Sequence, residues 1–397
     1  MKVQSLERFY KAVILFIFVI SVILRLLVFD QEGGDHSTFK TTVMNFLGGV
    51  NPYIYTVQSF EDEKLKHGYS YMPTLLYIQT FFTKVNMIFD LDLPTKYMWK
   101  VPVLIADIIV GILLCKILKK EKFPYSVIIF GLLFWFIHPY FFMKYEYTNY
   151  DVLPVLFLLI SVFTVGKKDF ISGVMYALSV TLKTFPIILI SIFLIKTKDL
   201  KKFILGGFLI TILLSLPFIT SVQDAMLYIN GALLVHGSRS IQGRPFFGTF
   251  TYYLQDYGVN FYQAEFNEIY TMCALLGAQI LPLYLFFKKK VNNIWILIIT
   301  SFSVYYLFTP VLNRTHFIWG TPFIYLGSAT IFKNKLKKHF VSMTVLYVFL
   351  CFYLAIWNKG LKEPATFGGR VWLDPVLVYK PTFSLIYELR SRFIKGI

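Results

Sequence analysis

Asp35 stands in the run Gly33-Gly34-Asp35-His36, directly after the first long apolar segment, so the chain brings a carboxyl group out at a membrane surface. A carboxylate there can take a proton from a hydroxyl that arrives from water. Asp35-His36-Ser37-Thr38 ahead of an amphipathic stretch is equally an ordinary helix N-cap. Lys183 falls between two short apolar runs, where its ammonium can hold a phosphate as a point charge or snorkel to the interface. Arg239 and Arg244 sit among small residues from His236 to Arg244, a setting for bidentate phosphate binding that would also suit lipid headgroups. Arg314, in Asn313-Arg314-Thr315-His316, adds a further cation. Asp151, after Thr148-Asn149-Tyr150, can orient hydroxyl groups or cap a helix. Asp107 has apolar neighbours on both sides. A charge in that position costs about 3 kcal/mol on insertion scales, so it reads as a polar contact between helices.

The metal and nucleophile patterns are thin. Glu32, Asp35 and His36 could share a divalent cation, but their spacing matches no strong ligand set, and no cofactor is expected. Cys115, Cys273 and Cys351 lie inside apolar runs without paired spacing, which indicates neither a disulfide framework nor a zinc site. No glycine-rich phosphate loop or nucleophile elbow is present.

The elements that must position these groups belong in lipid. The 397 residues are 56% hydrophobic and 15% charged, where a soluble domain carries about a quarter charged residues. The formal charge of +17 is explained by lysines gathered in short cytoplasmic loops against anionic lipid, and nucleic acid is not expected as a partner. Apolar runs at Ala12–Phe29, Tyr97–Leu118, Pro124–Met143, Asp151–Val165, Phe170–Leu182, Phe185–Ile195, Phe203–Phe218, Ile269–Phe287, Ile294–Pro310, His316–Phe332 and Phe340–Trp357 predict an all-α polytopic membrane protein. That is about eleven transmembrane helices.

Crossings alternate between the basic clusters if Met72–Phe89 does not cross and if Phe170–Ile195 breaks near Lys183-Thr184-Phe185-Pro186. Residues 30–96 then form a first outer loop holding two interfacial helices, Ser37–Leu47 and Pro73–Phe89, and a second outer loop runs from Ser221 to about Glu268. The expected organisation is a membrane module over 1–220, the second outer loop and last helices over 221–357, and a tail over 358–397 that either lies on the bilayer or crosses it.

Asp35, then Gly49-Val50-Asn51-Pro52-Tyr53, then Tyr69-Ser70-Tyr71-Met72-Pro73-Thr74-Leu75-Leu76 resemble the first luminal loop of GT-C glycosyltransferases. The similarity is greatest to polyprenyl-phosphate-mannose-dependent mannosyltransferases, including the first mannosyltransferase of glycosylphosphatidylinositol assembly. Asp107, Thr148-Asn149-Tyr150-Asp151 and Leu182-Lys183-Thr184-Phe185-Pro186 continue it in order. The family often carries a second acidic residue beside the first; here His36 and Ser37 follow Asp35.

The resemblance implies inverting transfer of a hexose, mannose first, from a polyprenyl-phosphate donor to a lipid- or protein-linked glycan. Phosphate is already a good leaving group, so a base and cations suffice. Asp35 would be the base, and Lys183, Arg239, Arg244 and Arg314 would hold the donor phosphate. Asp151, His36, Tyr53 and Tyr71 would contact acceptor or sugar. The expected location is the plasma membrane, or the endoplasmic reticulum in a eukaryote, with the site on the outer or luminal face. The competing classes are a flippase of lipid-linked saccharides and a glycan polymerase or ligase.

Overall fold

A long apolar run can satisfy its backbone in hydrocarbon only by folding into a helix, and the computed structural model has helices at all eleven runs. It describes residues 2–27, 29–30, 35–61, 68–138, 150–234, 242–243, 246 and 266–358. In chain order the helices are α1 (Lys2–Leu27), α2 (His36–Leu47), α3 (Pro52–Glu61), α4 (Pro73–Ile88), α5 (Thr95–Lys120), α6 (Tyr125–Phe136), α7 (Val152–Thr164) and α8 (Asp169–Leu182). A 3-10 helix, Phe185–Leu189, leads into α9 (Ile190–Lys196), followed by α10 (Leu200–Ser215) and α11 (Val222–Ala232). The last four are α12 (Phe266–Phe287), α13 (Ile294–Phe308), α14 (Phe317–Ile331) and α15 (Leu336–Asn358). Two short strands, β1 (Gln242–Gly243) and β2 (Val311–Leu312), pair in parallel, Gln242 opposite Val311.

Among the described residues, four helices are long and apolar enough to cross a bilayer by themselves: Leu6–Leu27, Thr95–Lys120, Leu200–Phe218 and Ile269–Phe287. Tyr125–Phe136, Val152–Thr164, Asp169–Leu182, Phe185–Lys196 and Ile294–Phe308 are apolar but shorter. The two helices expected in the first outer loop are present as α2 and α4. The turn motif Gly48–Tyr53 leads into a third, α3, which no apolar periodicity in the sequence marks.

The basic turns meet at one end of the bundle. Lys333 Nζ donates to the Glu121 carbonyl at 2.8 Å, and Lys196 Nζ donates to the Asn292 carbonyl. The Asp169 carboxylate accepts from the backbone N–H groups of Gly166, Lys198 and Asp199 at 2.6, 3.1 and 2.8 Å. Tyr10 of α1 stacks on Tyr125 of α6 with ring centres 5.0 Å apart. Joining these turns sends successive helices back and forth between two ends, as the positions of the lysines predict.

Two devices hold the bundle together. Asp107 of α5 pairs with Arg25 of α1, and both side chains are buried, at 5% and 3% exposure. The Arg25 guanidinium also donates to the Ser21 and Phe136 carbonyls at 3.3 and 3.2 Å and lies over the Phe136 ring. This is the interhelical polar contact expected of Asp107.

At the crossing of α8 and α10 the backbones touch. A Cβ on Gly173 would lie 2.0 Å from the Phe203 carbonyl oxygen, and one on Gly206 would lie 2.3 Å from that of Phe170. Small residues at a crossing allow such close packing in lipid. Gly173→Ala is therefore expected to push the two helices apart and lower stability by about 1–3 kcal/mol, read as a lower midpoint of thermal unfolding in detergent.

Candidate active site

The chain breaks its helix where Pro186 forbids a continuous one. Lys183 is extended, with φ −159° and ψ 136°, between the end of α8 and the 3-10 helix. The break lies at the end of the bundle opposite the basic turns and opens a cavity of about 530 Å³. Asp35, Tyr71 and Lys183 all line it, with Thr184, Asn313 and His316. A carboxyl, a phenol, an ammonium and an imidazole group thus reach one space from four separate segments.

Asp35 precedes α2, which is anchored by the buried side chains of Phe39 and Val43. Asp35 occupies the N-cap position, yet its side chain makes no capping hydrogen bond. It is exposed and faces the cavity, so the capping reading does not account for the carboxylate.

Lys183 is held from below. Its Nζ donates to Asp151 Oδ1 at 2.5 Å, and Asp151 is fully buried at 0% exposure. Trp319 Nε1 donates to the same oxygen at 2.9 Å. Asp151 Oδ2 is buried and has no hydrogen-bond partner among the described residues. The residue before Asp151, Tyr150, takes φ +55°, a left-handed conformation that an L side chain adopts only when its surroundings impose it.

Burial opposes the Lys183 charge, but the Asp151 carboxylate, with smaller contributions from Tyr71 and Asp35, outweighs this and raises its pKa above the usual lysine value. Lys183 also lies 5.0 Å from the Trp319 ring centre and 5.9 Å from that of Tyr71. Trp319 is clamped between Phe185 at 4.2 Å and His316 at 3.9 Å, both stacked.

The turn carrying Tyr71 is fixed by the residues of the first outer loop. Tyr53 is buried in an aromatic cluster with Tyr69, Phe218 and Tyr228, and its hydroxyl donates to the Tyr71 carbonyl at 2.8 Å. Thr56 Oγ1 donates to the Tyr69 carbonyl at 2.9 Å, and Asn51 ties this segment to Asp224 of α11 at 3.2 Å. Gly49 makes the preceding turn at φ +82°, a conformation that favours glycine.

The sequence candidates therefore separate. Asp35, Lys183 and Tyr71 meet in the cavity. Tyr53 and Asp151 are buried beneath it. His36 turns towards α5, with Nε2 3.3 Å from Thr95 Oγ1 and its ring 5.0 Å from Trp99. Arg239 and Arg244 lie outside the described residues, as do Glu32 and the tail from 359 onward, and so does the side chain of Arg314. Strand β1, one residue before Arg244 in the chain, pairs with β2, two residues before Arg314. Among the described residues no group of three His, Cys, Asp or Glu side chains could hold a metal ion.

Trp319 and the neighbouring Tyr305 and Thr309 were not singled out in the sequence. They sit in apolar helices or at their ends, where nothing in type or spacing marks them.

Much of the remaining lining of the cavity is apolar. It includes Ile187 of the 3-10 helix, Leu233 after α11, and Ala274 and Leu275 of α12. Ile187, Leu233 and Leu275 remain 47%, 39% and 37% exposed, so the cavity is lined by accessible apolar side chains as well as by polar ones.

The model of glycosyltransferase family 87 matches residues 69–310, more than half of the chain. The chain belongs to that family. No curated protein and no solved structure gives a significant match. This family 87 glycosyltransferase is an integral membrane enzyme, and its matched part contains Tyr71, Asp151 and Lys183. Asp35 precedes the matched part; His316 and Trp319 follow it. The cavity of the family 87 enzyme is thus completed by residues on both sides of the family segment.

Proposed function

We propose that this enzyme transfers a hexose, mannose first, from a polyprenyl-phosphate donor to a lipid- or protein-linked glycan, with inversion, at the outer face of the membrane. The observation that carries the reading is that Asp35 and Lys183 share one cavity that is also lined by the exposed apolar side chains of Ile187, Leu233 and Leu275. A prenyl chain can lie along Ile187, Leu233 and Leu275 while its phosphate meets Lys183. In this reading all eleven apolar runs cross the bilayer, and the basic end faces the cytoplasm.

The acceptor hydroxyl attacks the anomeric carbon, and Asp35 takes its proton. The bond from that carbon to the phosphate oxygen breaks, and the phosphate leaves with the electron pair. Lys183 stabilises the charge that develops there. Arg239, Arg244 and Arg314 are proposed to add to it from the second outer loop and the β2 segment. Tyr71, in the cavity lining, is proposed to contact the sugar or acceptor. Tyr53 and Asp151 act on the site through the groups they hold, Tyr71 and Lys183.

Membranes containing the enzyme are expected to transfer label from a polyprenyl-phosphate hexose and not from a nucleotide sugar. Transfer from the nucleotide sugar after polyprenyl phosphates have been extracted would overturn the donor assignment. A product larger by a single hexose, measured by mass, would separate this activity from a polymerase.

A further inference from the structure

The basic end of the bundle carries a second cavity. Lys120 at the end of α5, Lys167 in the turn after α7 and Lys196 at the end of α9 line a space of about 290 Å³, with Asn292, Asn293 and Trp295 at the start of α13. Lys120 and Lys167 lie 5.2 and 4.8 Å from the centre of the same Phe163 ring. Both ammonium groups therefore face one ring, and since ammonium groups are donors only they repel rather than bond each other. Burial first, and the Lys120 neighbour second, hold Lys167 below the usual lysine range.

None of the three lysines makes an ion pair with a carboxylate among the described residues. Lys167 Nζ donates to the Phe163 carbonyl of its own segment at 2.9 Å, and Lys196 Nζ to the Asn292 carbonyl. Glu121 is the one acidic side chain in the lining, against three ammonium groups. An oxyanion seated between Lys120 and Lys167 would replace their repulsion with two charge-assisted hydrogen bonds.

We propose that this cavity binds the phosphate of an anionic phospholipid headgroup. The surroundings favour a lipid over a free ion: the lysines sit at the ends of apolar helices, where headgroups of the facing leaflet lie, and basic pockets between such helices suit them. α7 and α8 connect the two cavities, with Asp151 and Lys183 at one end and Phe163 and Lys167 at the other. The 13 residues of α7 place the two about 20 Å apart. A bound headgroup would fasten α5, α7, α9 and the start of α13 together at the end remote from Asp35. The proposal does not depend on which sugar is transferred.

The test is thermal unfolding of the purified full chain in detergent with added phosphatidylglycerol, phosphatidylcholine or inorganic phosphate. Phosphatidylglycerol is expected to raise the midpoint by about 3 °C or more at saturation, with phosphatidylcholine and millimolar phosphate giving no comparable shift. K120Q/K167Q should lose the shift while its midpoint in phosphatidylcholine is unchanged or higher, since a repulsion has been removed. K288Q/K289Q, changed outside the cavity, should keep it.

Equal shifts from phosphatidylcholine, a full shift retained in K120Q/K167Q, or equal loss in K288Q/K289Q would each overturn the site. An equal shift from phosphate alone would overturn the lipid as occupant. If K120Q/K167Q fails to fold, native mass spectra of the unmodified chain decide the matter: phosphatidylglycerol adducts that do not outnumber phosphatidylcholine adducts reject the proposal.

Discussion

Asp35→Asn is expected to lower transfer by about 10²–10⁴-fold, the usual contribution of a positioned general base, while leaving protein abundance and the unfolding midpoint unchanged. The substitution keeps size and shape, and asparagine is as good an N-cap as aspartate. The Asp35 side chain makes no capping bond that could be lost. What disappears is the carboxylate at the mouth of the cavity shared with Lys183. Label transfer from a polyprenyl-phosphate hexose, normalised to protein in the membrane, reads the effect, and Asp35→Glu should recover part of the rate. An Asp35→Asn rate close to that of the unmodified enzyme would remove Asp35 from the mechanism and leave the donor assignment standing, because Lys183 and the apolar lining do not rest on it.

Lys183→Met should abolish transfer and also destabilise the fold, for two separable reasons. The first is loss of the cation proposed to meet the leaving phosphate. The second is that Asp151, at 0% exposure, keeps only the Trp319 N–H among the described residues as a partner for its charge. Removing one member of a buried pair costs about 3–5 kcal/mol, because the remaining charge is stranded. Pairing the change with Asp151→Asn removes that charge, so the double variant should regain most of the stability and none of the activity. Thermal unfolding and label transfer on the two variants decide it. Activity returning along with stability would make Lys183 a structural cation only.

The helices were legible in the sequence because apolar runs and proline positions leave few choices. Pro186 marked the break at Lys183, and the lysine clusters indicated which turns gather at one end. Asp107 was legible as a buried contact, since an isolated carboxylate between apolar neighbours needs a partner. Its partner was not: Arg25 lies near the end of a long apolar run and reads as a charge at the membrane edge.

The burial of Asp151 and Tyr53 was also hidden. Both are polar residues in motifs that suggest contact with substrate, and both are buried and hydrogen-bonded to residues that line the cavity. That depends on long-range packing, such as Trp319 reaching Asp151 across 168 residues, which no local pattern encodes. α3 was missed for a simpler reason: Pro52–Glu61 is short and of mixed polarity, and its helical form is secured by burying Tyr53 among aromatic rings from three other segments.

The exposed apolar lining at Ile187, Leu233 and Leu275 bears on what substrate concentration would mean with the proposed donor. A polyprenyl-phosphate donor would keep its tail among the acyl chains, so it would be encountered by sideways diffusion in a two-dimensional film. Its supply is then measured as a mole fraction of the leaflet and not as moles per litre. Adding inert lipid at constant total donor would starve the enzyme by dilution within the surface.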